Sequence, residues 1–294
     1  MDENDILIIR NLLENSRITY RELSEMINIS ISAIQKRIKK LEEDGVIITY
    51  SARPSVIALK CLWILAFGTS TAKSLDLVSK ELGRHESVRF VGITGAKFMY
   101  VSALLRDISE LQEFGSFVSE TAHISDIIIG IINVPYLTTP EPLTKIDYRI
   151  LKPLNRDARK PIADIADDLG LSAKTVRRRL NYMVENNLVT FSIEWMPVYE
   201  NSFINLFHIY LNEGTDLIST IQKISDKCYP NIAYCFTFSN IPRFFTLTIW
   251  TKNAQESHKF QKDLESEGFK NIVPHIFITA SWYECWVDQL VRTK

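Results

Sequence analysis

Residues 171–184 read LSAKTVRRRLNYMV, setting Arg177, Arg178 and Arg179 side by side with Lys174 and Asn181 a turn away on either side. A guanidinium presents a planar fork of donors that fits phosphate oxygens or the edge of guanine. A carboxamide pairs in the same two-point way with adenine. Such a cluster suits a nucleic-acid contact, a membrane-surface patch or a plain solvated face, and the residues alone do not choose. The chain of 294 residues carries a formal charge of only −1. That balance argues against indiscriminate polyanion binding but leaves room for a local basic face. A basic stripe on a lone helix is most often a solvated surface, so the elements that carry it must decide its role.

Rival chemistries find little support. Cys61, Cys228, Cys235 and Cys285 form no C-x-x-C pair and no cluster with histidine, which argues for reduced, packed thiols rather than a zinc site. His85, His123, His208, His258 and His275 are scattered without helical metal spacing. Nucleophile elbow, phosphate loop and paired-carboxylate site are all missing. The expectation is no metal, no cofactor and no catalytic residue. The acidic start MDENDILIIRN does not read as a signal peptide, and the longest apolar run, CLWILAF at 61–67, is too short to span a bilayer. A cytoplasmic protein without a membrane partner is expected. An apolar fraction of 46% suits ordinary folded cores in two or more domains.

The chain repeats itself. Residues 5–47 align without a gap on 147–189 at a constant offset of 142, with identities at Asp5/Asp147, Ile8/Ile150, Leu12/Leu154, Arg17/Arg159, Ser30/Ser172, Arg37/Arg179 and Glu43/Glu185. Each copy reads as three short helices. Thr19 and Glu22 form a capping box for the second, and Ser30 is placed to cap the third. Gly45, or Asn187 in unit two, supplies a left-handed terminator. The following VIITYSARPSV and LVTFSIEWMPV resemble β wings. The whole reads as a winged helix-turn-helix, whose post-turn helix enters the major groove.

Periodicity sorts that helix into faces. Ile34, Ile38 and Leu41, like Val176, Leu180 and Met183, recur at helical spacing and should face the core. The opposite stripe is Ser32, Gln35, Lys36 and Lys39 in unit one, and Lys174, Arg177, Arg178 and Asn181 in unit two. These eight are the expected contacts to double-stranded DNA. Arg37 and Arg179 lie nearer the core and are expected to pair with Asp5 and Asp147. Arg17 and Arg159 are open between capping a helix and touching phosphate. Unit two is the more basic around its first turn, with Arg149, Lys152, Arg156 and Lys160, and is expected to dominate affinity.

The rest of each unit alternates strand and helix in the order βαββαβ, a ferredoxin-like split unit. The expected fold is α+β, with two winged helix-turn-helix domains (1–54 and 138–198, the latter including a Pro/Thr linker at 138–144) alternating with two ferredoxin-like domains (55–137 and 199–294). The aromatics should fill sheet cores, and the C-terminal SWYECWVDQLVRTK is expected to be a strand-to-tail segment sealing an oligomer contact.

The D-x-x-I-L/I starts at Asp5 and Asp147, the segments from Arg17 and Arg159, and the runs ending in E-x-G-V-I or its variant resemble the Lrp/AsnC (feast/famine) transcription regulators over nearly the whole chain. The resemblance implies a DNA-binding head joined by a strand to a sensing domain that pairs sheet against sheet, here within one polypeptide. It also implies a homo-oligomer, a dimer of chains being favoured, and a small-molecule effector near Thr94 and Gly95. Phe98 stands where the family's effector-loop aspartate is expected, and unit two has Ser239-Asn240-Ile241-Pro242-Arg243 in place of the loop, so an amino-acid effector is doubtful. The alternatives are an enzyme resembling the sirohaem decarboxylases, with His208, Arg243 and His275 near the sheets, and a co-regulator that binds a protein partner.

Overall fold

Each unit opens with three helices whose ends are written into the sequence. In the computed structural model, which describes residues 1–134, 142–199, 202–269, 272 and 274–294, unit one starts with α1 (Glu3–Glu14), α2 (Tyr20–Ile27) and α3 (Ile31–Glu43). The Thr19–Glu22 capping box forms, and the Ser30 side chain accepts from the Ala33 amide. Asp2 and Asp5 make a further box on α1. Unit two repeats the pattern in α7 (Lys145–Leu154), α8 (Ile162–Leu169) and α9 (Ala173–Glu185), numbered after the three helices of unit one's second half. Gly45 and Asn187 both adopt the expected left-handed backbone. Ile34, Ile38 and Leu41 are buried on α1 and α2, and Val176, Leu180 and Met183 on α7 and α8. Each fully buried aliphatic contributes roughly 1.5–3 kcal/mol, so the core stripe fixes which face of α3 and α9 turns outward.

The expected wings take another form. β1 (Ile47–Pro54) and β6 (Val189–Trp195) do not fold back on their own units. They pair with each other, antiparallel, with Ala52 opposite Phe191. A single strand after each helical head leaves a row of backbone donors and acceptors unpaired, and the copy in the other unit satisfies them. Two arginines brace this junction. The Arg17 guanidinium donates to the carbonyls of Ala158 and Lys160, and Arg159 donates to those of Ser16 and Ile18 at 2.9 Å each. Neither caps its own helix; each is engaged by backbone carbonyls of the opposite unit.

After the short α4 (Val56–Leu59), unit one runs β2 (Leu62–Thr69), α5 (Leu75–Leu82), β3 (Val88–Thr94), β4 (Phe98–Leu105), α6 (Leu111–Ala122) and β5 (Ile128–Ile131). Unit two, after a two-residue β7 (Val198–Tyr199), runs β8 (Ser202–Tyr210), α10 (Leu217–Cys228), β9 (Ile232–Thr237), β10 (Phe244–Thr251), α11 (Ala254–Ser266) and β11 (Pro274–Trp282). Both are βαββαβ. The strand order β5-β2-β4-β3-β11-β8-β10-β9 joins them through β3 and β11. The free ends meet as well: the Asn133 amide donates to Thr237, and the Ser239 amide to Ile131. The two sheets thus close on each other, and no long edge is left open at either seam.

Glycine permits the close approach at each seam. A Cβ on Gly92 would meet the Phe277 ring at 2.4 Å, and one on Gly130 would meet Phe238 at 2.2 Å. Leu65, Phe67, Tyr100, Leu206, Phe238 and Phe244 fill the space between the sheets. The C-terminal segment departs from expectation. It ends in a helix, α12 (Trp286–Thr293), whose Trp286, Val287 and Val291 are buried inside this chain, so its apolar face is already covered. The Pro/Thr linker at 138–144 falls mostly outside the described residues.

Candidate nucleic-acid interface

The outward stripe is exposed in both heads. Ser32, Gln35, Lys36 and Lys39 on α3, and Lys174, Arg177, Arg178 and Asn181 on α9, all stand in solvent. Ser32 shares a hydrogen bond with Ser30, and Lys39 lies 3.6 Å from Glu43. Among the described residues, the side chains of Gln35, Lys36, Lys174, Arg177, Arg178 and Asn181 make no hydrogen bond or ion pair within the chain. A long cationic side chain with no intramolecular partner keeps its donors available to a phosphate or a base edge.

The adjacent arginine behaves differently. Arg179 donates through Nε and a terminal nitrogen to the two oxygens of Asp147, at 2.8 and 2.5 Å. Arg37 likewise holds Asp5 at 2.7 Å and also Asp2. Burial pushes the Asp147 carboxyl up, but the bonds from Arg179 and Thr144 more than offset it and hold it below its usual value. These two arginines fasten α3 and α9 to α1 and α7, as their inward position predicts.

The extra basic charge of unit two is largely engaged internally. Arg149 donates to the Leu169 carbonyl, Arg156 lies near Glu194 and Glu284, and Lys160 bonds Asp168 at 2.5 Å. Of the four, Lys152 alone is exposed with no partner among the described residues. Unit two therefore gains less free charge than its sequence suggests.

The expected effector loop is tightly self-contained. Thr94 is fully buried and its hydroxyl donates to the Phe98 carbonyl, while Gly95 opens a short exposed turn. In unit two the corresponding turn closes the seam: the Asn240 side chain accepts from the Ile131 amide and donates to the Ile129 carbonyl. The histidines near the sheets form a pair in the inter-sheet core. Tyr100 Oη lies 2.7 Å from His208 Nε2, and the His208 and His275 rings are 4.6 Å apart. Burial, with the neighbouring His275, pushes His208 down to about 3, and burial pushes His275 down to about 4. Arg243 points elsewhere, to Glu213.

Two residues that no local sequence pattern singles out face an internal chamber of about 290 Å³ under the β1–β6 ribbon: Arg53 and Arg89. The available hint is an arginine set in an otherwise apolar strand, as in VRFVGIT. Among the described residues no group of three or more His, Cys, Asp or Glu is arranged to hold a metal. No helix of the described residues is long and apolar enough to cross a membrane.

Known proteins resemble both the heads and the whole. A winged helix-turn-helix DNA-binding model matches residues 1–48, and an AsnC-type helix-turn-helix model matches residues 143–183. An uncharacterized HTH-type transcriptional regulator of Pyrococcus horikoshii is 32% identical over 117 residues, spanning 39% of this chain and 73% of its own. One of Pyrococcus furiosus is 28% identical over 137 residues, spanning 45% and 93%. The crystal structure of the siroheme decarboxylase NirDL superposes on 99% of this chain and 98% of its own, with a TM-score of 0.61 and 15% identity. That likeness is one of fold: the two-unit architecture exists elsewhere in a single assembly.

Proposed function

The chain belongs to the Lrp/AsnC family of helix-turn-helix transcription regulators, and from that premise we propose that it reads double-stranded DNA through the paired stripes on α3 and α9. Regulation of transcription by DNA binding is the family's function. The observation that carries the residue assignment is the contrast within one arginine triplet. Arg177 and Arg178 are exposed and unengaged, whereas Arg179 is tied to Asp147. In helix-turn-helix complexes the second helix meets base edges while flanking groups hold the backbone. The test is a mobility shift on a site selected from random duplexes. Arg177→Ala/Arg178→Ala should weaken binding at least tenfold, since each good base contact contributes about 1–3 kcal/mol. Unchanged affinity would remove the stripe from the interface.

The proposal extends to assembly. A second chain would bring four heads to one DNA, with half-sites about 34–36 Å apart for heads on the same face. Light scattering at micromolar concentration should then report a two-chain mass, and a one-chain mass would overturn it.

An enzymatic reading is favoured by one observation, the whole-chain likeness to a decarboxylase. The chemistry inside this chain supports a regulator instead. His208 and His275 sit among Phe67, Phe98 and Phe244 and do not line the internal chamber, which at about 290 Å³ is small for a tetrapyrrole. Titration with sirohaem should leave its absorption bands unshifted. A saturable band shift would revive the enzymatic reading.

A further inference from the structure

The closed sheets do not fill their own interior. Aromatic side chains occupy one end, but a chamber of about 290 Å³ remains at the end crossed by the ribbon. That volume is at the lower limit of small-molecule sites. The walls are largely apolar, with Trp63, Phe90, Phe236 and Phe277 among them, and both units contribute. Two arginines face the space, and among the described residues no aspartate or glutamate lines it.

The arginines differ in how they are satisfied. Arg53, on β1, donates through Nε to Asp288 at 2.6 Å and through a terminal nitrogen to Glu194 at 2.5 Å. Its charge is neutralised within the protein. Arg89, on β3, stacks 5.5 Å from the Trp63 ring centroid and 5.6 Å from that of Trp282. Among the described residues its side chain makes no hydrogen bond or ion pair. Burial, followed by the neighbouring Arg53 charge, disfavours its cation. Stacking satisfies the faces of the guanidinium and leaves its five in-plane donors open.

Thr248 gives an independent indication. It lies on β10 in the opposite unit, is 2% exposed, and lines the same chamber. Its hydroxyl has no hydrogen-bond partner among the described residues. A buried polar group left unmade costs about 1–3 kcal/mol, and native structures retain few of them.

We infer that the chamber is a binding site for a small organic carboxylate with a flat apolar body, the carboxylate meeting Arg89 and the body lying between the aromatic walls. A charge-assisted, forked contact is what an unpaired guanidinium offers best. A free α-amino acid is a poor occupant, because its ammonium would face two guanidinium groups and no carboxylate. The site is also distinct from the Thr94–Gly95 turn, which takes no part in it. Because β1 and β6 run from α3 and α9 across the chamber, an occupant lies against the strands that carry both heads.

Calorimetric titration of the full chain tests this without DNA, so its outcome is separate from that of the DNA assignment. The probes are indole-3-propionate, tryptophan (the same skeleton with an α-ammonium) and indole-3-propionamide (the same skeleton without charge). Binding of the propionate one per chain is expected, with the other two at least about tenfold weaker. Arg89→Met should reduce propionate binding by a similar factor, and Thr248→Val by a smaller one. If Arg89→Met does not fold, the three-ligand comparison on the unaltered chain decides alone. Equal or tighter binding of tryptophan or the amide would overturn the inference. So would absence of binding by indole-3-propionate, 4-phenylbutyrate and octanoate alike.

Discussion

Three consecutive arginines occupy two different environments because α9 turns about 100° per residue and the core claims one side of it. Arg179 is drawn inward to Asp147, whose carboxyl is fully buried. Its removal strands a buried carboxylate, so Arg179→Ala should lower stability by about 2 kcal/mol, whereas Arg178→Ala should stay within about 0.5. Urea unfolding followed by circular dichroism measures both. On the proposed DNA contact, the expected order of effects on binding is the reverse. If Arg177 or Arg178 meets a phosphate, its alanine variant should flatten the log–log salt dependence by about 1, the counterion released by one contact. The histidine pair gives a pH signature. Both imidazoles titrate lower in the fold than the usual value near 6.5, so unfolding takes up protons below that pH. Stability should hold above pH 6.5 and decline as pH falls toward 4, by at most about 1.4 kcal/mol per pH unit for each ring. A His275→Phe variant melted across that range should show a shallower acid slope.

At the level of elements, the ribbon is the part that couples the repeats. Arg53 on β1 is clamped by Glu194 on β6 and Asp288 on α12, all three buried. Asp288→Ala leaves that guanidinium short of a partner and should cost about 3–5 kcal/mol, read from chemical denaturation. The seams between the sheets depend on missing side chains. Gly130→Val would drive a methyl group into the Phe238 ring, so it should lower the melting temperature by several degrees, through about 1–3 kcal/mol of overpacking. A cap such as Thr19 with Glu22, or a terminator such as Gly45, was legible because its effect reaches only three or four residues. The pairing of the expected wing is not legible for the opposite reason. A strand shows its propensity locally, but its partner lies 142 residues away. The partners of the extra basic residues of unit two are likewise set by the fold, since Arg156 and Lys160 meet carboxylates and Arg149 a carbonyl only once the chain is folded.

Over the whole molecule, the duplication turns two sensing-type sheets into one closed structure with a shared interior. Neither sheet can cover Leu65, Phe67 and Tyr100, or Leu206 and Phe244, without the other. A fragment of residues 1–134 should therefore associate or aggregate when expressed alone, and light scattering should find no stable monomer. The same closure gives the turn at 239–243 a structural task, since Asn240 holds β5.

Local and repeating features were determined by the sequence itself: the helix ends, the inward stripe, the outward cationic stripe and the twofold repeat. Each depends on the 3.6-residue period, on a cap within one turn, or on the constant offset between copies. Only the tertiary structure decided which charges are paired, where β1 and β6 find partners, that Arg17 and Arg159 brace opposite units, and that Arg89 faces a chamber lined by no Asp or Glu among the described residues. Those outcomes depend on distances between residues far apart in the chain. Burial and pairing energies are set by what lies within a few ångströms, and no local pattern encodes that.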